Sequence, residues 1–262
     1  MTNPSEIPVR RIFVALDASS LGLAALETAT SLAAELEAEL RVLFVEDENL
    51  LRLAGLPFAQ EIEYASASLR RLDRTEMERK LQAKAERVRR TLAHNVRNET
   101  FNWTFHITRG HLTRATMEAA TEAGLLFMGR ESCTLRPLRQ SARARGKRPI
   151  VVAYDGGEPS QQALEVAATI ARRGADQILI LITETDRQRF DELRRQSTAW
   201  LAAHGIDASC FLTPIPDQTA LCSVTRGLDA KLLVINQESR LIDDTTIEML
   251  VSELDCPVGL VR

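Results

Sequence analysis

The sequence predicts an α/β protein in which one mainly parallel sheet unit has been built twice. Short β-rich apolar runs alternate with segments of helical period, the pattern of strand–helix–strand crossovers. The chain also repeats itself. ALDASSLGLAALETA (15–29) aligns with AYDGGEPSQQALEVA (153–167), pairing Asp17 with Asp155, Leu26 with Leu164 and Glu27 with Glu165 at an offset of 138. The same offset matches ELRVLFVE (39–46) to QILILITE (177–184). LLFMGRES (125–132) and LLVINQES (232–239) share their leading Leu-Leu and trailing Glu-Ser at an offset of 107. The first half therefore carries 31 extra residues between its second strand and its fourth.

In the first half, RRIFVALD reads as a short strand. It leads into a helix from Gly22 to Glu37, with Leu26, Ala29, Ala33 and Leu36 on one face, and then into the strand LRVLFV. Leu72 to Arg97 is rich in charge but places Leu81, Ala85, Val88 and Leu92 at helical spacing, which predicts a long amphipathic helix. FNWTFHIT is the third strand, a helix from about Leu112 to Ala123 follows, and LLFMG is the fourth strand.

The second half repeats this order with a shorter second connection and adds one unit. Asp243 or Asp244 is placed to cap a helix whose Ile247, Leu250, Val251 and Leu254 share a face. Cys256 and Pro257 end that helix, and VGLVR is a fifth strand. The first half shows no counterpart: after Ser132 it runs through CTLRPLRQSARARGK into RPIVVAYD. The expected division is residues 1–132, a basic linker 133–147, and residues 148–262.

At 262 residues, 45% hydrophobic and a net charge of -3, the chain suits two globular domains with their own cores. No apolar run approaches the roughly 20 residues of a membrane span, and MTNPSEIPVRR lacks an apolar targeting core. Cys133, Cys210, Cys222 and Cys256 form no C-x-x-C pair and have no His at ligand spacing, so neither zinc nor a disulfide framework is expected. The expected location is a reducing cytoplasm.

Asp17 ending the first strand, FVED at Phe44 to Asp47, Gly129 ending the fourth strand and CPVGLVR at Cys256 to Arg262 together resemble the universal stress protein superfamily in its tandem form. The resemblance covers 9–132 and 148–262. It implies a Rossmann-like fold of the adenine nucleotide alpha hydrolase-like kind, five parallel strands per complete domain, and association of domains through their last strands. It also implies where a nucleotide sits in ATP-binding members. The first-strand Asp meets the adenosine, the end of the second strand lines the base pocket, and a loop of Gly, two residues, Gly, nine residues, Gly, then Ser or Thr holds the phosphates. Glycines let backbone approach phosphate oxygens, and helix-start amides complement their charge.

Measured against that loop, both halves are incomplete. The second half has Asn236, Ser239 and Met249 at the glycine positions; the first has Gly129, Ser132 and Ala142. Side chains at these places crowd a triphosphate. The candidate cofactor-binding residues are accordingly Asp17, Val45, Gly129 and Ser132, in the first half, for ATP or AMP. Asp155 is expected to cap or turn the loop after its strand. No bound cofactor is expected as a default.

Three other features bear on function. The run Arg136, Arg139, Arg143, Arg145, Lys147 and Arg148 lacks interleaved aromatics and reads as a solvated linker rather than a nucleic-acid site. TRGH, Thr108 to His111, resembles the active-site signature of nucleotidyltransferases but follows the third strand instead of the first, so a turn into the next helix is expected. The insert Asn49 to Asp73 holds Leu50, Leu51, Leu53, Leu56, Phe58, Ile62 and Tyr64 and is expected either to cover a pocket or partner surface or to pack on the sheet edge.

By this resemblance the expected function is that of a non-enzymatic regulatory or binding protein in a stress response, without tight ATP binding. The alternatives are an adenine-nucleotide sensor using the first half, and a nucleotidyltransferase-like enzyme that depends on His111. The expected partners are an unidentified protein and a second copy, since a first half without its own last strand leaves a bare sheet edge. The alternative is a pseudo-dimer, in which the two halves supply that pairing to each other.

Overall fold

In the computed structural model the residues described are 9–17, 20–63, 68–97, 99–112, 114–116, 124–129, 148–174, 176–182, 184, 186–206, 208–212, 218–239, 242, 244–254 and 256–262. The basic linker 133–147, Ser132 and most of the helix expected at 112–123 lie outside them.

The first half runs β1 (Arg11–Leu16), α1 (Ser20–Leu36), β2 (Glu39–Asp47), α2 (Glu48–Ala54), β3 (Gln60–Glu63), β4 (Ser68–Arg71), α3 (Arg74–Asn95), β5 (Trp103–Gly110) and β6 (Leu125–Gly129). The second runs β7 (Ile150–Tyr154), α4 (Glu158–Gly174), β8 (Ile178–Ile182), α5 (Arg187–Ala203), β9 (Ala208–Leu212), α6 (Gln218–Gly227), β10 (Leu232–Asn236), α7 (Asp244–Glu253) and β11 (Val258–Val261). β6, β7, β8, β10 and β11 are buried at every position. That is what continuous Val/Ile/Leu runs produce when helices cover both faces of a parallel sheet.

Among the described residues, nine strands form one sheet in the order β5-β2-β1-β6-β11-β10-β7-β8-β9. Within each half the pairings are parallel, and the order third-second-first-fourth recurs in both. The second half is completed by β11, parallel to β10. The halves meet where β11 also pairs antiparallel with β6, Gly259 opposite Phe127 and Leu260 opposite Leu126. This corrects the expectation of a bare edge: β6 is covered by the last strand of the same chain. One last strand serves both halves, in place of two that meet each other.

α3 buries Leu81, Ala85, Val88 and Leu92, the stripe that its spacing predicted. These residues join Leu26, Ala29 and Leu32 of α1 and Leu164, Ala167 and Ala171 of α4 in a core on one face of the sheet. On the other face α6 and α7 contribute Leu221, Ile247, Leu250 and Leu254 to a second core with Phe13, Val45 and Met128. The insert forms α2 and an antiparallel hairpin, β3–β4, that stands apart from the main sheet. Asp47 caps α2 through a bond from the Asn49 amide, 2.8 Å, and Asp73 caps α3 through one from Glu76, 2.9 Å.

Candidate functional site

In an open parallel sheet the ligand crevice lies beyond the carboxyl ends of the strands, where the strand order reverses. That point is between β1 and β6 in the first half and between β7 and β10 in the second.

In the first half the register sets Leu16 against both Phe44 and Gly129. Asp17 therefore leaves β1 level with Val45 on one side and next to the end of β6 on the other. α1 begins close above them. A Cβ on Gly22 would lie 3.1 Å from the Asp17 carbonyl oxygen, 3.1 Å from the Leu16 Cβ and 3.5 Å from the Gly129 carbonyl oxygen. Glycine at this position lets the first turn of α1 close onto the crevice. Asp17 is half-buried, whereas Val45 is 2% exposed and packs in the core with Leu112 and Met128. Val45 is thus a wall behind the crevice. Ser132 lies outside the described residues.

The second half is built differently at the same point. Asn236, 1% exposed, ends β10, and its Nδ2 donates to the Pro159 carbonyl at 2.9 Å while its Oδ1 accepts from the Glu238 amide at 2.6 Å. One side chain ties the end of β10 to the first turn of α4, across the crevice. Asp155 is exposed, and its Oδ1 accepts from the Gly157 amide at 2.9 Å, an Asx turn of the kind that shapes a loop. Ser160 Oγ accepts from the Gly156 amide at 3.1 Å and donates to the Gly157 carbonyl at 2.9 Å. The amides and carbonyls at this corner are occupied by the protein itself. What remains is a pocket of about 50 Å³ lined by Asp155, Gly157, Pro159, Ser160, Asn236 and Ser239. A water takes about 30 Å³, and small-molecule sites run from roughly 300 Å³ upward, so it holds a water or two. Met249 is half-buried against the apolar core on the α6–α7 face.

A polar cluster beside the first crevice was not foreseen from the sequence. Glu46, 5% exposed at the end of β2, accepts from Arg109 Nη2 at 3.2 Å and Nε at 3.3 Å, and Arg109 Nη1 lies 3.6 Å from Glu78 of α3. The signal was faint, because the pair is 63 residues apart in sequence and meets only through the β2–β5 register. His111 is exposed; its carbonyl accepts the Ala115 amide at 3.1 Å, and its Nδ1 lies 3.4 Å from Asn49 Nδ2. TRGH thus closes β5 and opens the following helical turn. Among the described residues no group of His, Cys, Asp and Glu has the arrangement of a metal site, and no helix is long and apolar enough to cross a membrane.

Residues 8–136, just under half of the chain, match the model of the Universal stress protein family. No curated protein matches the chain. Among solved structures, a universal stress protein from Archaeoglobus fulgidus DSM 4304 aligns at 15% identity and TM-score 0.52, covering 96% of each chain. A protein described as a putative universal stress protein from Pseudomonas aeruginosa UCBPP-PA14 aligns at 13% identity and TM-score 0.48, over 97% of this chain and 93% of that one. A universal stress protein from Archaeoglobus fulgidus in complex with dAMP aligns at 16% identity and TM-score 0.37, over 44% of this chain and 98% of that one. The first of these likenesses, end to end, is one of fold.

Proposed function

We propose that the chain is a tandem, non-enzymatic binding protein of the universal stress type, regulatory in a cytoplasmic stress response, with units at 1–132 and 148–262 joined by 133–147. Its second unit takes no nucleotide, and any adenine nucleotide is confined to the first unit, at Asp17 and Gly129 with Val45 behind them. The observation that carries this reading is Asn236, whose side chain bridges β10 to Pro159 and leaves about 50 Å³ where a nucleotide needs several times more. A buried amide with both ends bonded is held in place, since freeing either partner costs a desolvated polar group.

The reading of the first unit as a nucleotide sensor is favoured by one observation: Gly22 keeps the start of α1 within reach of Asp17 and Gly129, and helix-start amides complement phosphate charge. Equilibrium binding of ATP, ADP and AMP, with turnover followed in the same samples, tests both statements. The expected outcome is no turnover, and any binding weakened by Asp17→Ala. Hydrolysis or adenylyl transfer that depends on His111 would overturn the non-enzymatic reading.

A further inference from the structure

Between α1 and α3 of the first half lies a cleft of about 180 Å³. Its floor is apolar: Leu26 and Val88 are buried, and Leu23 at the mouth is 40% exposed. Glu27 of α1 and Thr91 and Asn95 of α3 stand on its walls.

The second half shows what fills such a cleft. Leu26 and Glu27 of α1 repeat as Leu164 and Glu165 of α4. Leu81, Val88 and Leu92, buried on α3, match Phe190, Ser197 and Leu201, buried on α5, at one constant offset. The same offset sets Thr91 against Trp200 and Asn95 against His204. Trp200 is half-buried against the core that α4 and α5 share, and it stacks on His204 with ring centroids 4.0 Å apart. His204 in turn lies near the repeated glutamate. Burial pushes the Glu165 carboxyl up, while a hydrogen bond from Gln161 and the charge of His204 draw it back. An indole and an imidazole thus stand where the first half has a hydroxyl, an amide and open space. A closed apolar cavity of about 150 Å³ holds benzene, so one of about 180 Å³ with an open mouth accommodates a ring system of indole size.

The charges at the rim are particular to the first half. Along α3, Arg74, Lys80, Arg89 and Arg90 are each paired with a glutamate of the same helix. Lys84 and Arg87, which line the cleft, are exposed and have no ion-pair or hydrogen-bond partner among the described residues. At the matched positions α5 has Leu193 and Gln196. Two unpaired cations above an apolar floor select a ligand with an anionic end, and Glu27 on the facing helix offers an acceptor to a ring N–H.

We propose that this cleft binds a planar aromatic carboxylate of indole size. Its ring takes the place that Trp200 takes in the second half, its carboxylate meets Lys84 and Arg87, and its ring N–H donates to Glu27. Asp17, Val45 and Gly129 do not line this cleft, so the inference goes beyond the nucleotide reading.

Isothermal titration calorimetry of the full chain with indole-3-acetate tests it, with indole and tryptamine as the uncharged and the oppositely charged probe. The expected result is one saturable site for indole-3-acetate, about tenfold weaker in the Lys84→Gln, Arg87→Gln double variant and weaker for both other probes. Thr91→Trp, which supplies the ring that the second half carries, should abolish binding, and Asp17→Ala should leave it unchanged. Lys84, Arg87 and Thr91 are exposed, so these variants should fold, and far-UV circular dichroism checks that they do. No saturable binding in the millimolar range, equal binding of indole or tryptamine, or binding that survives in a folded Thr91→Trp chain overturns the proposal. Loss in Asp17→Ala would overturn it too, by placing the ligand in the nucleotide crevice. The comparison of probes needs only the wild type and decides the matter even where a variant fails to fold.

Discussion

Gly259 of β11 sits directly opposite Phe127 of β6, and a Cβ at Gly259 would lie 3.1 Å from the Phe127 ring. The two residues come from different halves, and their pairing is the centre of the antiparallel seam that makes one sheet of two. A glycine inside a strand weakens it unless something approaches closely, and here an aromatic ring does. Gly259→Val should lower the stability of the whole chain to urea by about 1–3 kcal/mol, the usual cost of overpacking. Gly259→Ala should cost less. An unchanged denaturation midpoint for Gly259→Val would mean that the seam has slack that the distance does not show.

Asn236 is the corresponding point in the second crevice. Asn236→Ala leaves the Pro159 carbonyl and the Glu238 amide without their partner, and should cost about 1–3 kcal/mol. Asn236→Asp keeps the acceptor for Glu238 but presents no donor to Pro159, so it should fall at least as far. Thermal unfolding of the two variants checks both. If either matches the wild type, the amide is not a bridge.

Beside the first crevice the buried Glu46 is paired with Arg109, whose side chain is 46% exposed. Arg109→Leu strands a carboxylate that is 5% exposed, but water already screens the half-exposed guanidinium, so the loss should be about 1 kcal/mol, and Glu46→Leu with Arg109→Leu should recover most of it. A double variant no better than Arg109→Leu in chemical denaturation would show that the loss comes from packing of the Arg109 stem and not from the stranded charge.

Burial pushes the Cys222 thiol up to about 11 and the Cys256 thiol up to about 12 from an ordinary 9.0. Both should be unreactive toward iodoacetamide at pH 8 in the folded chain and react on unfolding. The raised values also fix a sign. Below pH 9 the thiols are neutral folded and unfolded, so they leave stability unaffected. Above it the unfolded chain ionises first, and stability is lost through the window from 9 to about 12, by at most about 1.4 kcal/mol per pH unit for each thiol. Cys256→Ala should flatten that decline; an equally steep fall in the variant would assign it elsewhere.

Much of the fold was legible because period and burial coincide. The stripe of Leu81, Ala85, Val88 and Leu92 predicted the buried face of α3, and unbroken apolar runs predicted strands covered on both sides. The substitution of Asn236 for a loop glycine was legible as a loss, but not as a gain: its two hydrogen bonds depend on where α4 begins relative to β10. The destination of β11 was hidden for a related reason. VGLVR reads as a strand, yet pairing with Phe127 rather than with a second copy is decided by chain connectivity across the whole sheet. Glu46 and Arg109 were likewise unremarkable until the register set them side by side.

The closed second crevice is tested most directly by native mass spectrometry of the full chain titrated with ATP, ADP and AMP, because it counts bound nucleotides per chain. The expected count is no more than one, lost in Asp17→Ala and unaffected in Asp155→Ala. Two nucleotides per chain, or one that Asp155→Ala removes, would contradict it.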